Sequence, residues 1–138
     1  MKMNTFPTTD HLYGDKVIEN LHLTGTAFLS YPFRVVFRDV SDSDELKPVR
    51  VMVSVSKKKF KRAVDRNRIK RLMRETYRTN KGELEAFANE NDLKLHIAFQ
   101  YIGNEILLFG EVNAKMQKAL EKLVKISTEK SKNTDENG

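Results

Sequence analysis

Eleven cations crowd the 23 residues between Ser56 and Arg78, and their types and spacing are those of a polyanion-binding surface. This segment holds five lysines and six arginines against two acids, a net charge of +9. The other 115 residues sum to −3, because the whole chain carries +6. A solvated charged face usually mixes both signs, whereas a one-signed block is the electrostatic footprint of nucleic-acid binding. We therefore predict that this segment, the basic block, binds a nucleic acid.

The order of residues in the basic block predicts a helix with one packed stripe and one cationic stripe. Ile69, Leu72, Met73 and Tyr77, with the small polar Thr76 among them, follow the three-four spacing of a buried helix face. Two rows of polar and cationic side chains fill the remaining surface: Arg66, Lys70 and Arg74, and beside them Asn67, Arg71, Arg74 and Arg78. Arginine grips phosphate in a bidentate way, which suits a phosphate backbone.

The predicted start of this helix also indicates an anion. Asp65 is placed as the N-cap or a first-turn acid, and Arg66, Asn67 and Arg68 follow at once. Cations in a first turn interact unfavourably with the helix dipole, and each lowers the stability of the helix by up to about 1 kcal/mol. A bound phosphate reverses that cost, because helix N-termini and arginines both attract it. The alternative is that solvent screens the unfavourable charges.

The sequence shows no constellation for catalysis by the protein itself. His11, His22 and His96 have no acid at a spacing that predicts a dyad, and there is no cysteine for thiol chemistry or thiolate zinc. No glycine-rich phosphate loop or metal-ligand cluster is present. The acids between Asp39 and Pro48 are interpreted as a mobile surface loop rather than a metal site. We expect no cofactor bound by the protein and no protein active site.

Apolar periodicity places the basic block inside an α+β domain. The predicted order is helix, strand, strand, helix, strand, helix, typical of a two-layer α/β sandwich with helices packed on a small sheet. We expect a loose N-terminus over 1–10, a single RNA-binding domain over 11–126 and a disordered tail over 127–138. The elements outside the basic block are predicted at 14–23 (helix), 33–37, 49–56 and 93–101 (strands) and 111–126 (helix), with a polar linker over 80–91.

Several partners and locations are disfavoured. No run approaches the roughly 18 apolar residues of a membrane span, and residues 1–10 lack a signal-peptide pattern, so a cytoplasmic protein is expected. A helix-turn-helix needs a second short helix, whereas Lys57 to Lys61 joins a strand directly to the basic helix, which disfavours DNA. Single-stranded or irregular RNA suits a helix beside an open strand face. A membrane-binding amphipathic helix is a rival, but its apolar stripe is needed for the core.

The run from Val53 to Arg78 closely resembles the signature of the protein subunit of bacterial ribonuclease P. The resemblance centres on Arg66-Asn67-Arg68 followed by Ile69-Lys70-Arg71-Leu72 and Arg74, and it extends over roughly 12–126. It implies the fold of the second domain of ribosomal protein S5, with a left-handed crossover around the basic helix. It also implies a catalytic RNA as partner and precursor tRNA as substrate, cleaved to give the mature 5′ end. Divalent metal (Mg²⁺) is expected in that complex, held by the RNA.

The resemblance also assigns residues to two RNA surfaces. The catalytic RNA is expected on the basic block, at Lys57, Lys58, Arg62, Arg66, Asn67, Arg68, Lys70, Arg71 and Arg74. A cleft between the first helix and the sheet is expected to hold the single-stranded 5′ leader, with lining positions Ile18, His22, Val36, Ser54 and Lys58. The family often carries aromatics near the first three of these lining positions, so Phe28, Tyr31 or Phe60 is expected to supply the stacking surface. The alternative is a structural, ribosomal-type RNA-binding protein without nuclease association.

Overall fold

The computed structural model describes His11, Leu12 and residues 14–137, with side chains through Glu129. The predicted loose N-terminus over 1–10 lies outside the described residues. Four helices and four strands follow one another as α1 (Asp15–Thr24), β1 (Thr26–Ser30), β2 (Phe33–Asp39), β3 (Val49–Val55), α2 (Ala63–Asn80), α3 (Gly82–Glu90), β4 (Leu95–Tyr101) and α4 (Phe109–Asn137). In this part of the chain, no helix is long and apolar enough to cross a membrane.

The four strands form one sheet in the order β1-β2-β4-β3. β1 pairs with β2 and β2 pairs with β4 in antiparallel fashion, whereas β3 and β4 run parallel. Parallel neighbours need a long crossover connection, and α2 and α3 supply it. The basic helix α2 therefore belongs to the connection that joins β3 to its parallel neighbour β4.

The main core lies between one face of the sheet and helices α2, α3 and α4. Alternate strand residues such as Val35, Ile97 and Phe99 point into it and are essentially inaccessible to solvent. Helix α2 contributes four buried residues from the predicted stripe, Ile69, Met73, Thr76 and Tyr77. Leu72 packs against this core while partly exposed. The predicted apolar stripe of α2 is thus confirmed, and its cationic side must face outward.

Helix α1 covers part of the second sheet face. Leu12 and Leu21 pack there against Val36 and Ala98, with Ile18 and Met52 at the margin. The chain turns from α1 directly into β1 at Gly25. Any other residue would clash there, because its Cβ would lie 2.4 Å from the Leu21 carbonyl oxygen. The predicted α+β class is confirmed, and α1 adds a helix on the side of the sheet opposite α2.

Three segments differ from the sequence prediction. Strand β1 was not predicted, since only Phe28 of its five residues packs against the main core. The predicted linker over 80–91 contains α3, which buries Leu84 and Ala88 four positions apart on one face. Helix α4 continues past Ile126 to Asn137 and so includes most of the tail that was expected to lack structure. That tail has no glycine or proline before Gly138 to end the helix.

Candidate nucleic-acid interface

The connection from β3 to α2 is a tightly folded loop that carries four lysines. We call residues 57–61 the lysine loop. The Phe60 amide donates to the Ser56 carbonyl at 3.1 Å, and the Phe60 ring is buried against Tyr101 with ring centroids 6.1 Å apart. The Lys59 ammonium donates to the Ile102 carbonyl beyond β4. Lys57, Lys58 and Lys61 are exposed, so an anchored loop presents them to solvent.

Helix α2 begins at Ala63, with Arg62 at the N-cap and no side-chain cap. Asp65 lies in the first turn, one of the two predicted positions, 3.8 Å from the Arg62 guanidinium. The Arg62 side chain is 76% exposed, so solvent screens this pair and it contributes little stability. The first turn thus combines helix amides that have no side-chain cap with the exposed positive charge of Arg62, the combination that favours an anion at a helix N-terminus.

Arg66 does not share the exposed surface of its neighbours. Its Nη1 donates to the Phe60 carbonyl at 2.8 Å and to the Lys61 carbonyl at 2.9 Å, and the side chain is half-buried. The prediction put Arg66 in one exposed row with Lys70 and Arg74. In the structure its guanidinium turns back to the lysine loop, because that loop folds over the start of the helix.

The outer side of α2 carries the remaining cations of the motif. Asn67, Arg68, Arg71 and Arg74 are exposed, and Lys70 is half-buried. Helix geometry places Asn67, Arg71 and Arg74 on the side away from the buried stripe and Arg68 and Lys70 at its two margins, all within about 10 Å along the axis. None of them makes an ion pair or hydrogen bond with another described residue. Further along, Arg78 is paired with Glu75, so the unpaired positive surface ends at Arg74, more than one turn before the end of α2 at Asn80.

The residues predicted to line a leader cleft divide into two groups. Val36 is 2% exposed and Ile18 half-buried, and both pack between α1 and the sheet. Val36 therefore belongs to the core rather than to an open cleft, because α1 lies over it. His22 is exposed in the last turn of α1, and Ser54 is half-exposed on β3. The end of α1 lies against β2, so β4 separates these two accessible positions.

The sheet places two unpredicted polar residues beside Ser54. Strand register sets Ser54 opposite Gln100, and Gln100 opposite Arg34, so the three form a half-exposed row across the sheet. This polar row lies on the same face as α1, since its members alternate with residues of the main core. Gln100 and Arg34 are adjacent to Ser54 only through the strand order, which the sequence did not provide.

Among the three aromatics expected to supply stacking, the structure exposes one. Phe60 is buried, and Phe28 packs against the core with the Lys122 ammonium 5.4 Å from its ring centroid. Tyr31 is 58% exposed in the turn between β1 and β2. Arg34, the β2 member of the polar row, follows three residues later, and the Tyr31 hydroxyl lies near Gly103, 3.3 Å from where a Cβ would stand at that residue.

A half-buried acid-base cluster of Glu45, Arg50 and His96 attaches the segment from Asp39 to Pro48 to the other end of the same sheet face. The Glu45 Oε1 accepts from Arg50 Nε at 2.6 Å and from His96 Nε2 at 2.7 Å, while Oε2 accepts the amides of Leu46 and Lys47. Burial raises the pKa of Glu45, but these hydrogen bonds outweigh it and hold the pKa at about 2. An ionised carboxylate only accepts, so His96 Nε2 carries a proton.

This cluster corrects two sequence interpretations. His96 was read as having no acid partner, yet Glu45, 51 positions away, contacts it. The segment from Asp39 to Pro48 was interpreted as mobile, but it is held by Glu45 and by Ser41, whose Oγ accepts the Lys94 amide at 3.1 Å. Within the described residues, no three His, Asp or Glu side chains are grouped to hold a metal ion.

Comparisons with known proteins agree on one family. Residues 6–125 match the family model described as Ribonuclease P. A ribonuclease P protein component from Porphyromonas gingivalis strain W83 is 40% identical over 112 residues, 81% of each chain. One from Chlorobium phaeobacteroides is 34% identical over 110 residues, 75% of each chain. The fold resembles the Staphylococcus aureus RNase P protein with a TM-score of 0.61 at 23% identity, over 86% of this chain and 94% of that one.

Proposed function

The chain belongs to the ribonuclease P protein family, and we propose that α2 and the lysine loop bind the catalytic RNA while the α1 side of the sheet receives the 5′ leader of precursor tRNA. Its relatives are protein components of ribonuclease P, so the chain is part of a ribonucleoprotein endonuclease and has an RNA partner. The proposal concerns which RNA meets which surface. We place this activity in the cytoplasm, since a chain without cysteine needs no oxidising compartment.

The observation that carries the proposal is the unpaired arginine surface of α2. Arg68, Arg71 and Arg74 are exposed on the outer side of α2 and make no ion pair with a described acid. Three guanidinium groups held on one rigid helix can each take a phosphate in bidentate fashion, with little conformational entropy lost by the backbone on binding. Lys57, Lys58 and Lys61 would extend the same positive surface beyond the start of the helix.

The polar row is the proposed surface for the leader. Single-stranded RNA is bound through phosphate contacts and through bases stacked on aromatic rings. Arg34 can pair with a phosphate, Gln100 and Ser54 can hydrogen-bond to sugar or base edges, and Tyr31 offers a stacking face. Mature tRNA lacks the leader, so this surface would distinguish precursor from product.

In this proposal the chain positions RNA and neutralises its charge, and hydrolysis falls to Mg²⁺ ions held by the RNA. The acid-base cluster of Glu45 is not a candidate for proton transfer to substrate. Its carboxylate is 9% exposed and both oxygens already accept hydrogen bonds, at a pKa too low for a base at neutral pH.

The test is reconstitution with the catalytic RNA and precursor tRNA over a range of salt. If about six cations meet phosphates, the log-log slope of affinity against salt should be near −4 to −5, from the roughly 0.7 to 0.9 counterions released per contact. Arg68→Ala with Arg71→Ala should make the slope less steep by about 1.4 to 1.8. The matched control is Lys118→Ala with Lys125→Ala, which removes two exposed charges from α4 instead.

Three outcomes would reject the proposal. A flat salt dependence, or equal effects of the two double variants, would show that α2 is not the binding surface. Tight RNA binding that leaves precursor cleavage unchanged would favour a structural RNA-binding protein.

A further inference from the structure

We propose that Arg66 is a positioning residue, which fixes the lysine loop for RNA instead of contacting phosphate itself. This inference rests on the proposed function, since it divides the work within the same RNA-binding surface. It assigns different roles to the two arginines of the Arg66-Asn67-Arg68 motif: Arg66 holds the loop and Arg68 contacts RNA.

Helix geometry separates the two arginines. Successive residues turn by about 100°, so Arg66 and Arg68 project about 200° apart. Met73, seven residues after Arg66, projects within about 20° of the same direction and is buried, so Arg66 points along the core side of the helix and away from the outer side. Arg68 is exposed and has no described partner, whereas Arg66 is half-buried and bonded to its own chain. The motif thus has one arginine facing outward and one facing the loop.

The contact made by Arg66 closes the lysine loop at its helix end. One nitrogen, Nη1, donates to the carbonyls of both Phe60 and Lys61, the last two residues of the loop. A bond from a charged donor is roughly twice as strong as a neutral one. Asn67 and Arg68 have no equivalent contact to the loop, so its helix end depends on Arg66.

The other end of the loop is held independently. The Lys58 amide donates to Ser56 Oγ at 3.2 Å and the Lys59 ammonium donates to the Ile102 carbonyl, whereas the Phe60 amide, which donates to the Ser56 carbonyl, joins the two ends of the loop. Lys59 and Arg66 therefore each donate to backbone carbonyls of the protein, while Lys57, Lys58 and Lys61, which are exposed like Lys59, have no such bond from their ammonium groups to any described residue. Two cations of the basic block thus stabilise the loop, and three neighbouring lysines are held in a fixed arrangement.

A residue that only stabilises the loop and a residue that contacts a phosphate affect the salt dependence of RNA affinity differently. Without Arg66 the loop must be ordered on binding, which lowers affinity while the same lysines still reach phosphates. The log-log slope of affinity against salt should then stay as in the parent protein. A residue that itself meets a phosphate contributes about 0.7 to 0.9 to that slope.

The experiment compares Arg66→Met with Arg68→Met in the full chain, binding the ribonuclease P catalytic RNA at several salt concentrations. Both changes remove one charge and keep an unbranched apolar stem. Arg66→Met should bind about tenfold more weakly with an unchanged slope, tenfold corresponding to about 1.4 kcal/mol, the order of one charge-assisted hydrogen bond. Arg68→Met should make the slope less steep by about 0.7 to 0.9.

Amide hydrogen exchange supplies a readout that needs no RNA. The Phe60 amide should exchange faster in Arg66→Met than in the parent protein, while buried amides of β4 keep their protection. In Arg68→Met the Phe60 amide should be unchanged. Faster exchange throughout the protein would show general destabilisation and would overturn the positioning role.

The inference is also overturned if Arg66→Met makes the slope less steep as much as Arg68→Met does, or leaves affinity unchanged. Failure of the proposed function looks different, because then the parent protein itself would bind the catalytic RNA without steep salt dependence.

Discussion

Replacing Glu45 with glutamine removes the charge that Arg50 and His96 share while leaving a side chain of the same size. The carboxylate is 9% exposed, and the Arg50 and His96 side chains are 24% and 12% exposed. The pKa of Glu45 falls from 4.5 to about 2 on folding. At about 1.4 kcal/mol per pH unit, that difference corresponds to about 3 kcal/mol of stability at neutral pH.

The sign of the pH dependence follows from the direction of the pKa change. Because the pKa of Glu45 is lower in the folded state, the unfolded chain binds more protons between about pH 5 and pH 2. The stabilisation is complete above the unfolded pKa of 4.5 and is lost as the pH falls through about 2. The parent protein and Glu45→Gln should therefore differ by about 3 kcal/mol at pH 7 and converge towards pH 2.

The measurement is urea denaturation of both proteins at pH 7, 5, 4 and 3. Asp44→Asn is the matched control, because this exposed carboxylate lies in the same segment and has no partner among the described residues. It should change the free energy of unfolding by less than about 0.5 kcal/mol. A loss below about 1 kcal/mol for Glu45→Gln at pH 7, or an equal loss at pH 3 and pH 7, would refute the account of this cluster.

Four further outcomes are expected. Protein purified free of RNA should leave precursor tRNA uncut in the presence of Mg²⁺, and metal-dependent cleavage that copurifies with the protein would contradict this. Val36→Asp should lower the free energy of unfolding by more than about 3 kcal/mol, because it buries an unpaired charge under α1. Ser54→Asp should instead spare stability and weaken capture of precursor tRNA while mature tRNA binds as before; equal losses for both tRNAs would remove the leader surface from the sheet. Gly25→Ala should cost about 1–3 kcal/mol in thermal or urea unfolding, because its Cβ meets the Leu21 carbonyl, whereas Gly110→Ala, with open space around it, should cost nothing.

The sequence predicted the elements whose own periodicity is strong. Ile69, Met73 and Tyr77 repeat at helical spacing, so α2 and its buried face were predictable without any tertiary information. The alternation of Val49 and Val51 with polar residues did the same for β3. Helix α3 could have been found too, since Leu84, Phe87 and Ala88 follow the three-four spacing of a packed face. Gly82 and the surrounding asparagines made that segment resemble a linker.

The features that were missed depend on contacts between distant segments. Glu45 and His96 meet because β3 and β4 are neighbours, and no local pattern carries that information. Val36 is buried because α1 crosses the second face of the sheet, while its own strand pattern places it on a polar side. Helical spacing gives the direction of Arg66, but only the fold of the lysine loop shows that carbonyls lie there to receive it.

Strand order also governs when the basic helix can acquire its final position. β4 lies between β2 and β3 in the sheet but is synthesised last of the four strands, 39 residues after β3 ends. Until β4 emerges, the β1–β2 hairpin and β3 have no common neighbour, and α2 has no sheet to pack on. Pairing between such distant segments slows folding, because the entropy cost of closing a long loop comes before any stabilising contact forms. During synthesis the basic block is therefore exposed to cellular RNA before α2 has packed on the sheet. Addition of β4 completes the sheet, and only then are the cations of α2 held in a fixed arrangement that can bind RNA selectively.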